Sequence, residues 1–191
     1  MASATDPYQP LEARYGITRR CLEVFARYPD LDLLLVQTRG PLAARDFDLL
    51  ARIPYAWLSV TVETDDQGLL RRLGGGPPAS KRLALVEAAG RHGIKAQVAV
   101  SPCLAYTPDF PARLLAVGAR RFVVDTFVDG DGGRGARTAR SPIAAVYPDW
   151  RDDAPARNLC EQLRAAGAEV GWSAPGFCGI PPRSLQLALT G

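Results

Sequence analysis

The side chains able to do chemistry are thinly spread along this sequence. Its one histidine, His92, stands immediately before Gly93, at a predicted helix end, where a partial positive charge is favourable and helix capping accounts for it. With His92 assigned to capping, no histidine is left for a serine–histidine–aspartate triad of the usual form, and one histidine cannot make a two-histidine metal site. Cys21, Cys103, Cys160 and Cys178 form no C-x-x-C or other close-spaced metal knuckle, and four thiols in 191 residues are too few for a disulfide scaffold. They read as the reduced thiols of a cytoplasmic protein. Residues 130–135, GDGGRG, match G-x-G-x-x-G. A dinucleotide fingerprint needs a helix opening directly behind it, and Pro142 soon stops any helix, so the match is read as chance. Asp125, Asp129 and Asp131 resemble part of a calcium loop that lacks its closing bidentate glutamate. Arg134, Arg137 and Arg140 recur every third residue and read as a solvated basic loop; the sharper alternative is a lid clamping an anionic substrate or a nucleic-acid backbone. No aromatic residues interleave them, so nucleic-acid binding is not supported.

Hydrophobic periodicity supplies the elements that must position these groups. Residues 11–28 read as one amphipathic helix with Leu11, Tyr15, Leu22 and Phe25 on its apolar face. Residues 31–38 (LDLLLVQT) read as a buried strand, 44–53 as a short helix and 56–63 (AWLSVTVE) as a second strand. A helical stretch over 65–73 ends at Gly74-Gly75-Gly76-Pro77-Pro78. Ser80 is placed to cap a helix running to His92, and 94–101 (IKAQVAVS) form the third strand. Next come a helix over 109–117, a fourth strand over 120–127, a long loop over 128–150, a last helix over 153–166 and a short strand over 168–172. The tail from about 173 to 191 reads as irregular.

This alternation implies right-handed crossovers and a parallel sheet, an α/β fold in one domain over 1–191. Its strands are expected to be apolar throughout, because both faces should be covered. A chain 47% hydrophobic and 23% charged, with net charge +3, has the apolar content for a core and no nucleic-acid footprint. No apolar run is long enough to span a bilayer, and the first residues lack the basic and apolar regions of a signal peptide. Polar residues gather instead at the strands' carboxyl ends: Gln37, Thr38 and Arg39; Thr61, Glu63 and Thr64; Ser101 and Cys103; Asp125 and Thr126; Trp172 and Ser173. Ligands bind at that edge in α/β sheets. Capping of the next helices explains some of these residues, but not Gln37, Arg39 or Glu63.

Several runs carry a resemblance over nearly the whole chain. They are Thr5-Asp6-Pro7-Tyr8-Gln9-Pro10-x-Glu12 with Thr18-Arg19-Arg20-Cys21-Leu22-Glu23, and Ser59-Val60-Thr61-Val62-Glu63-Thr64-Asp65-Asp66 with Pro77 and Ser80 before Arg82-Leu83. Ala99-Val100-Ser101-Pro102, Val124-Asp125-Thr126-Phe127 and Gly171-Trp172-Ser173-Ala174 fit the same pattern. Together they resemble the radical S-adenosylmethionine (radical SAM) superfamily, in its spore photoproduct lyase-related group. The resemblance implies a partial, incomplete TIM-like (β/α) barrel around S-adenosylmethionine. Asp6, Tyr8 and Gln9 would lie in a turn near the methionyl amino group. Thr61 and Glu63 would lie near the ribose and methionine, and Arg82 would hold the methionine carboxylate bidentately. Ser101 and Asp125 would face cofactor or substrate. Cys103, at a strand end, reads first as a small buried hydrophobe, with hydrogen donation to a substrate radical as the sharper alternative.

Two features depart from that family. Gly74-Gly75 stand where relatives carry Glu-Pro, and the cluster motif C-x-x-x-C-x-x-C is absent. A [4Fe-4S] cluster is therefore expected only if a missing N-terminal segment supplies the motif. The resemblance implies an enzyme of unidentified substrate, with a non-catalytic, cluster-less ligand-binding domain as the alternative. It also makes the 31–38 strand a sheet edge, and an apolar edge without lysine or proline protection is expected to promote self-association.

Overall fold

Five strands line up in the order in which the chain visits them. β1 (Leu34–Thr38), β2 (Ala56–Thr61), β3 (Lys95–Val100), β4 (Arg121–Val124) and β5 (Glu169–Trp172) form one sheet, order β1-β2-β3-β4-β5, with every pair parallel. The computed structural model describes residues 5–28 and 30–182. Because the strand order never reverses, right-handed crossovers carry every connecting helix to the same side of the sheet. On that side Val36, Leu58, Val60, Val98, Val100, Phe122 and Val124 are buried in one cluster with Leu83, Val86, Phe110, Leu114, Leu159 and Leu163. The last six come from α5 (Ala79–Arg91), α6 (Phe110–Ala116) and α10 (Ala154–Ala165).

The opposite face corrects the expectation of strands apolar throughout. Side chains alternate across a strand, and register sets Gln37, Ser59, Gln97, Arg121 and Glu169 in one row on that face. Gln97 donates to Ser59 Oγ at 3.0 Å, Arg121 Nε donates to Gln97 Oε1 at 3.0 Å, and Arg121 pairs with Glu169. Buried polar groups are tolerated when they satisfy one another, as these do. Burial lowers the basicity of the Arg121 guanidinium.

This polar face is covered by a helix where the sequence suggested an irregular tail. α11 (Ser173–Cys178) folds back on β4 and β5. The approach is close enough that a Cβ on Gly171 would lie 2.6 Å from Gly176 Cα, and Gly176 O accepts from Arg121 Nη2 at 2.6 Å. Small residues at both positions are a condition of the contact.

Other elements differ locally from the periodicity. The 11–28 helix is two, α1 (Glu12–Tyr15) and α2 (Ile17–Phe25), broken at Gly16 with φ 59°. The Glu12 carboxylate then accepts from Thr18 N at 3.0 Å, capping α2 from the preceding helix. Leu22 is buried as expected, whereas Leu11 and Tyr15 are exposed. The 44–53 helix is a 3₁₀ helix over Pro41–Asp46 leading into α3 (Phe47–Leu50). α4 (Gln67–Arg72) is capped by Asp66, whose carboxylate accepts from Gly68 N and Leu69 N. α5 starts one residue before Ser80, and no side chain caps it. His92 does cap its far end, Nδ1 lying 2.8 Å from Ala88 O.

The expected 128–150 loop holds three single-turn helices, α7 (Phe127–Gly130), α8 (Ala136–Ala139) and α9 (Ile143–Val146). Asp131 organises it: its carboxylate accepts from the backbone N–H of Gly133, Gly135, Arg137 and Thr138 and from Thr138 Oγ1. These bonds hold its carboxyl well below the usual range. Two N–H groups of the GDGGRG run, those of Gly133 and Gly135, are thus taken up by the chain's own carboxylate. Arg134, Arg137 and Arg140 are exposed. β1 is one of the sheet's two edge strands, β5 being the other, and among the described residues no helix is long and apolar enough to cross a membrane.

Candidate functional site

The polar side expected at the strands' carboxyl ends is a physical surface, because alternation places its members on one face. Glu63, Ser101, Asp125 and Ser173 stand two residues beyond Thr61, Ala99, Val123 and Gly171, which are matched across β2 to β5. Within this layer the structure brings together two groups.

The first is built on Glu63, which is 3% exposed. One of its oxygens meets Arg39 Nη2 at 2.9 Å, and the other pairs with Arg82 Nη1. Arg82 is 1% exposed although it is the most polar of side chains. Its Nε donates to Pro77 O at 2.7 Å and its Nη1 to Thr61 O at 3.0 Å. Among the described residues, Arg82 Nη2 is the one buried side-chain nitrogen or oxygen without a hydrogen-bond partner. Gly76, at φ 137°, lies over it, so close that a Cβ there would sit 2.9 Å from Nη2. Two guanidiniums face one carboxylate, leaving an excess positive charge beside a pocket of about 150 Å³ that is lined by Arg39 and Glu63 and reached by Arg82 only through Glu63. Arg39 and Glu63 form its polar wall, and Leu70, Leu73, Phe127 and Ile143 its apolar one. α4 thus supplies one side, and the 127–146 segment the other.

The second group surrounds Asp125, which is 5% exposed. Its carboxylate accepts from Thr126 N at 2.9 Å, from Ser101 Oγ at 3.3 Å and from the Ser173 hydroxyl. Burial pushes its carboxyl upward, and those donors offset only part of the shift. Ser173 adopts φ 49°, a left-handed conformation costing a non-glycine residue about 1 kcal/mol, at the carboxyl end of β5. Gly130 is packed against the carboxylate, and a Cβ there would collide with Asp125 Oδ2.

The remaining candidates are held elsewhere. Asp6 clasps the end of β1, accepting from Thr38 Oγ1 at 2.6 Å, Arg39 N at 2.7 Å and Tyr8 N at 2.8 Å. Tyr8 is buried and donates to Asp46 Oδ2 at 3.2 Å, and burial, reinforced by that carboxylate, strongly raises its phenol pKa. Gln9 is exposed. Thr61 contributes its carbonyl to Arg82 rather than its hydroxyl to the pocket wall. Cys103 packs in the core between Pro102 and Leu104, and burial pushes its thiol up to about 12.

Two constellations have no signature in the sequence. Asp46, fully buried, is gripped by Arg45 at 2.8 Å and by Arg19 at 3.0 Å. Asp65 receives Thr107 N, Thr107 Oγ1 and Arg113 Nη1. Apart from the adjacent Arg45, their partners lie tens of residues away, so no local signal exists. Thr61 and Glu63 were, by contrast, readable as polar residues at a strand's carboxyl end. No protein-family model matches the chain, and no curated protein matches it.

Proposed function

We propose that the pocket beside Arg39, Glu63 and Arg82 binds the methionyl end of S-adenosylmethionine, and that the chain is the cofactor-holding part of a radical SAM protein with a partial β/α barrel. The observation that carries this reading is the buried, unpartnered Arg82 Nη2 next to a doubly paired carboxylate. A buried donor left empty costs about 1–3 kcal/mol, a cost that an anionic ligand would remove. The residue roles implied by resemblance need one revision. Nε and Nη1 of Arg82 are already engaged, so it offers one nitrogen, Nη2, and not a bidentate Nε–Nη edge; Arg39, with its side chain 45% exposed, supplies the second guanidinium for a carboxylate. A volume of about 150 Å³ matches a cavity that admits a benzene-sized body. It suits the methionyl portion, and the adenosyl portion would lie along the open carboxyl edge.

When bound, a [4Fe-4S] cluster would supply the electron for reductive cleavage, while the protein orients the sulfonium and excludes water. The described cysteines do not fit such a cluster. Cys21 is on α2, Cys103 in the core, Cys160 on α10 and Cys178 on α11, and at least three thiolates must converge. That dispersal favours a second reading, a cluster-less domain that binds the ligand without radical chemistry. An in-frame C-x-x-x-C-x-x-C encoded upstream of Met1 would decide for the enzyme.

Calorimetric titration with S-adenosylmethionine tests the binding common to both readings. Saturable binding is expected, at least tenfold weaker in Gly76→Ala, whose new Cβ would press on Nη2, and in Arg82→Lys. Circular dichroism checks that both variants fold. Absence of binding by the unaltered chain, or binding indifferent to both substitutions, overturns the proposal.

A further inference from the structure

The exposed apolar side chains of this protein are concentrated on one pair of helices. Among the described residues the large exposed apolar side chains are Leu11, Tyr15, Ile17, Val24, Tyr28 and Val146, and five of these six fall within residues 11–28. Their spacing on α2 is that of a helix face. Ile17, Cys21 and Val24 stand at i, i+4 and i+7, and Tyr28 prolongs the stripe in the turn beyond the helix. About 100° around α2 from the stripe, Thr18 and Leu22 are buried against the protein. The stripe is thus a face adjacent to the packed one, and the described residues leave it exposed. Beside the stripe opens a groove of about 280 Å³, with Leu11, Tyr15 and Ile17 in its wall.

We propose that this face docks an amphipathic helix of another protein, one whose apolar stripe is flanked by acidic residues. Charge selects that occupant. Arg14, Arg20 and Arg27 are exposed around the stripe, while the neighbouring acids are already engaged: Glu23 faces Arg19 at 3.6 Å, and in the groove wall Glu12 pairs with Arg45 at 2.7 Å and Asp6 accepts from Thr38 Oγ1 and Arg39 N. Arg14 lies over the Tyr15 ring at 5.4 Å, and Arg20 donates to Tyr15 O at 2.7 Å, which fixes two of these charges beside the apolar surface. A second copy packed antiparallel about a twofold axis near Val24 would bring Arg20 of each copy toward Arg27 of the other, a like-charge arrangement that opposes association. The terminal stretches outside the described residues, 1–4 and 183–191, contain no aspartate or glutamate. A bilayer surface has no protrusion to fill the groove, whereas an anchor side chain of a helix does.

Fluorescence anisotropy tests the proposal with a labelled amphipathic peptide carrying Leu at i, i+3, i+4 and i+7 and Glu on both flanks. Saturable binding is expected, weakened at least tenfold when Lys replaces Glu in the peptide, and at least tenfold by Val24→Asp or Tyr28→Asp. Both side chains are half-exposed or more, so melting temperature and circular dichroism should not change. Equal binding of the two peptides, or indifference to Val24→Asp, overturns it. So does a Val24-dependent dimer in light scattering, which would assign the face to a second copy. Val24-dependent binding to phosphatidylcholine–phosphatidylserine vesicles would likewise overturn it in favour of a membrane surface.

Discussion

Replacing Arg82 by leucine removes the charge around which the 61–77 segment is folded. Glu63, 3% exposed, would lose its fully buried partner, and the carbonyls of Thr61 and Pro77 would lose their donors. Breaking a buried ion pair from one side costs about 3–5 kcal/mol, because the remaining charge stays desolvated. Arg39 stays at 2.9 Å, but its side chain is 45% exposed, so it returns no more than about 1 kcal/mol. The two carbonyls add about 1 kcal/mol even if they relax toward water. A net loss of about 4 kcal/mol is expected, a large share of the roughly 5–15 kcal/mol that holds a domain folded. In a chain of this length it should lower the melting temperature by about 8–16 °C. Urea unfolding monitored by the fluorescence of Trp57, Trp150 and Trp172 measures it. Glu63→Leu/Arg82→Leu should be more stable than Arg82→Leu alone by about 2 kcal/mol, since no buried charge is then left unpaired. A cost below about 1 kcal/mol for Arg82→Leu, or strict additivity in the double variant, would refute the account of a desolvated pair.

Groups outside that pair give three further expected outcomes. Burial alone would raise the Asp46 carboxyl, but Arg45 and Arg19 outweigh it and the net shift is downward. Its stabilising contribution is therefore complete above the unfolded value of about 3.9 and is lost as pH falls through the lower folded value; Asp46→Asn should cost about 2 kcal/mol at pH 7 and flatten the acid limb of a stability–pH profile. Gly130→Ala should destabilise by about 1–3 kcal/mol in thermal melts, because its Cβ meets the Asp125 carboxylate, and an unchanged melt would show that the contact yields freely. Cys178, exposed, should react with a disulfide reagent before the half-buried Cys21, while the buried Cys103 and Cys160 react only on unfolding; early labelling of Cys103 would contradict a thiol pushed up to about 12.

Element type and order were legible because they rest on short-range periodicity. The runs 31–38, 56–63, 94–101, 120–127 and 168–172 each contain one strand of the sheet, trimmed at the ends. Helix breaks were less legible: Gly16 divides 11–28 only because Glu12 reaches forward to cap α2. α11 was missed because its Pro and Gly content argues against a helix, and its packing on Gly171 supplies what propensity lacks. The carboxyl-edge set was legible as residue types at strand ends, since capping accounts for some of them, such as Thr126, but not for Glu63 or Arg39. Which of them meet was decided by tertiary structure. Glu63 is brought to Arg39 and Arg82, and Asp125 to Ser101 and Ser173, whereas Asp6 and Tyr8 are spent on holding the chain's start to β1 and Asp46. The physical reason is range. Periodicity is a property of neighbours along the chain, while a buried charge finds its partner only when the fold carries residues 19, 24 or 48 positions apart into contact, Arg82 and Arg113 from the packed helices and Ser101 from a neighbouring strand end.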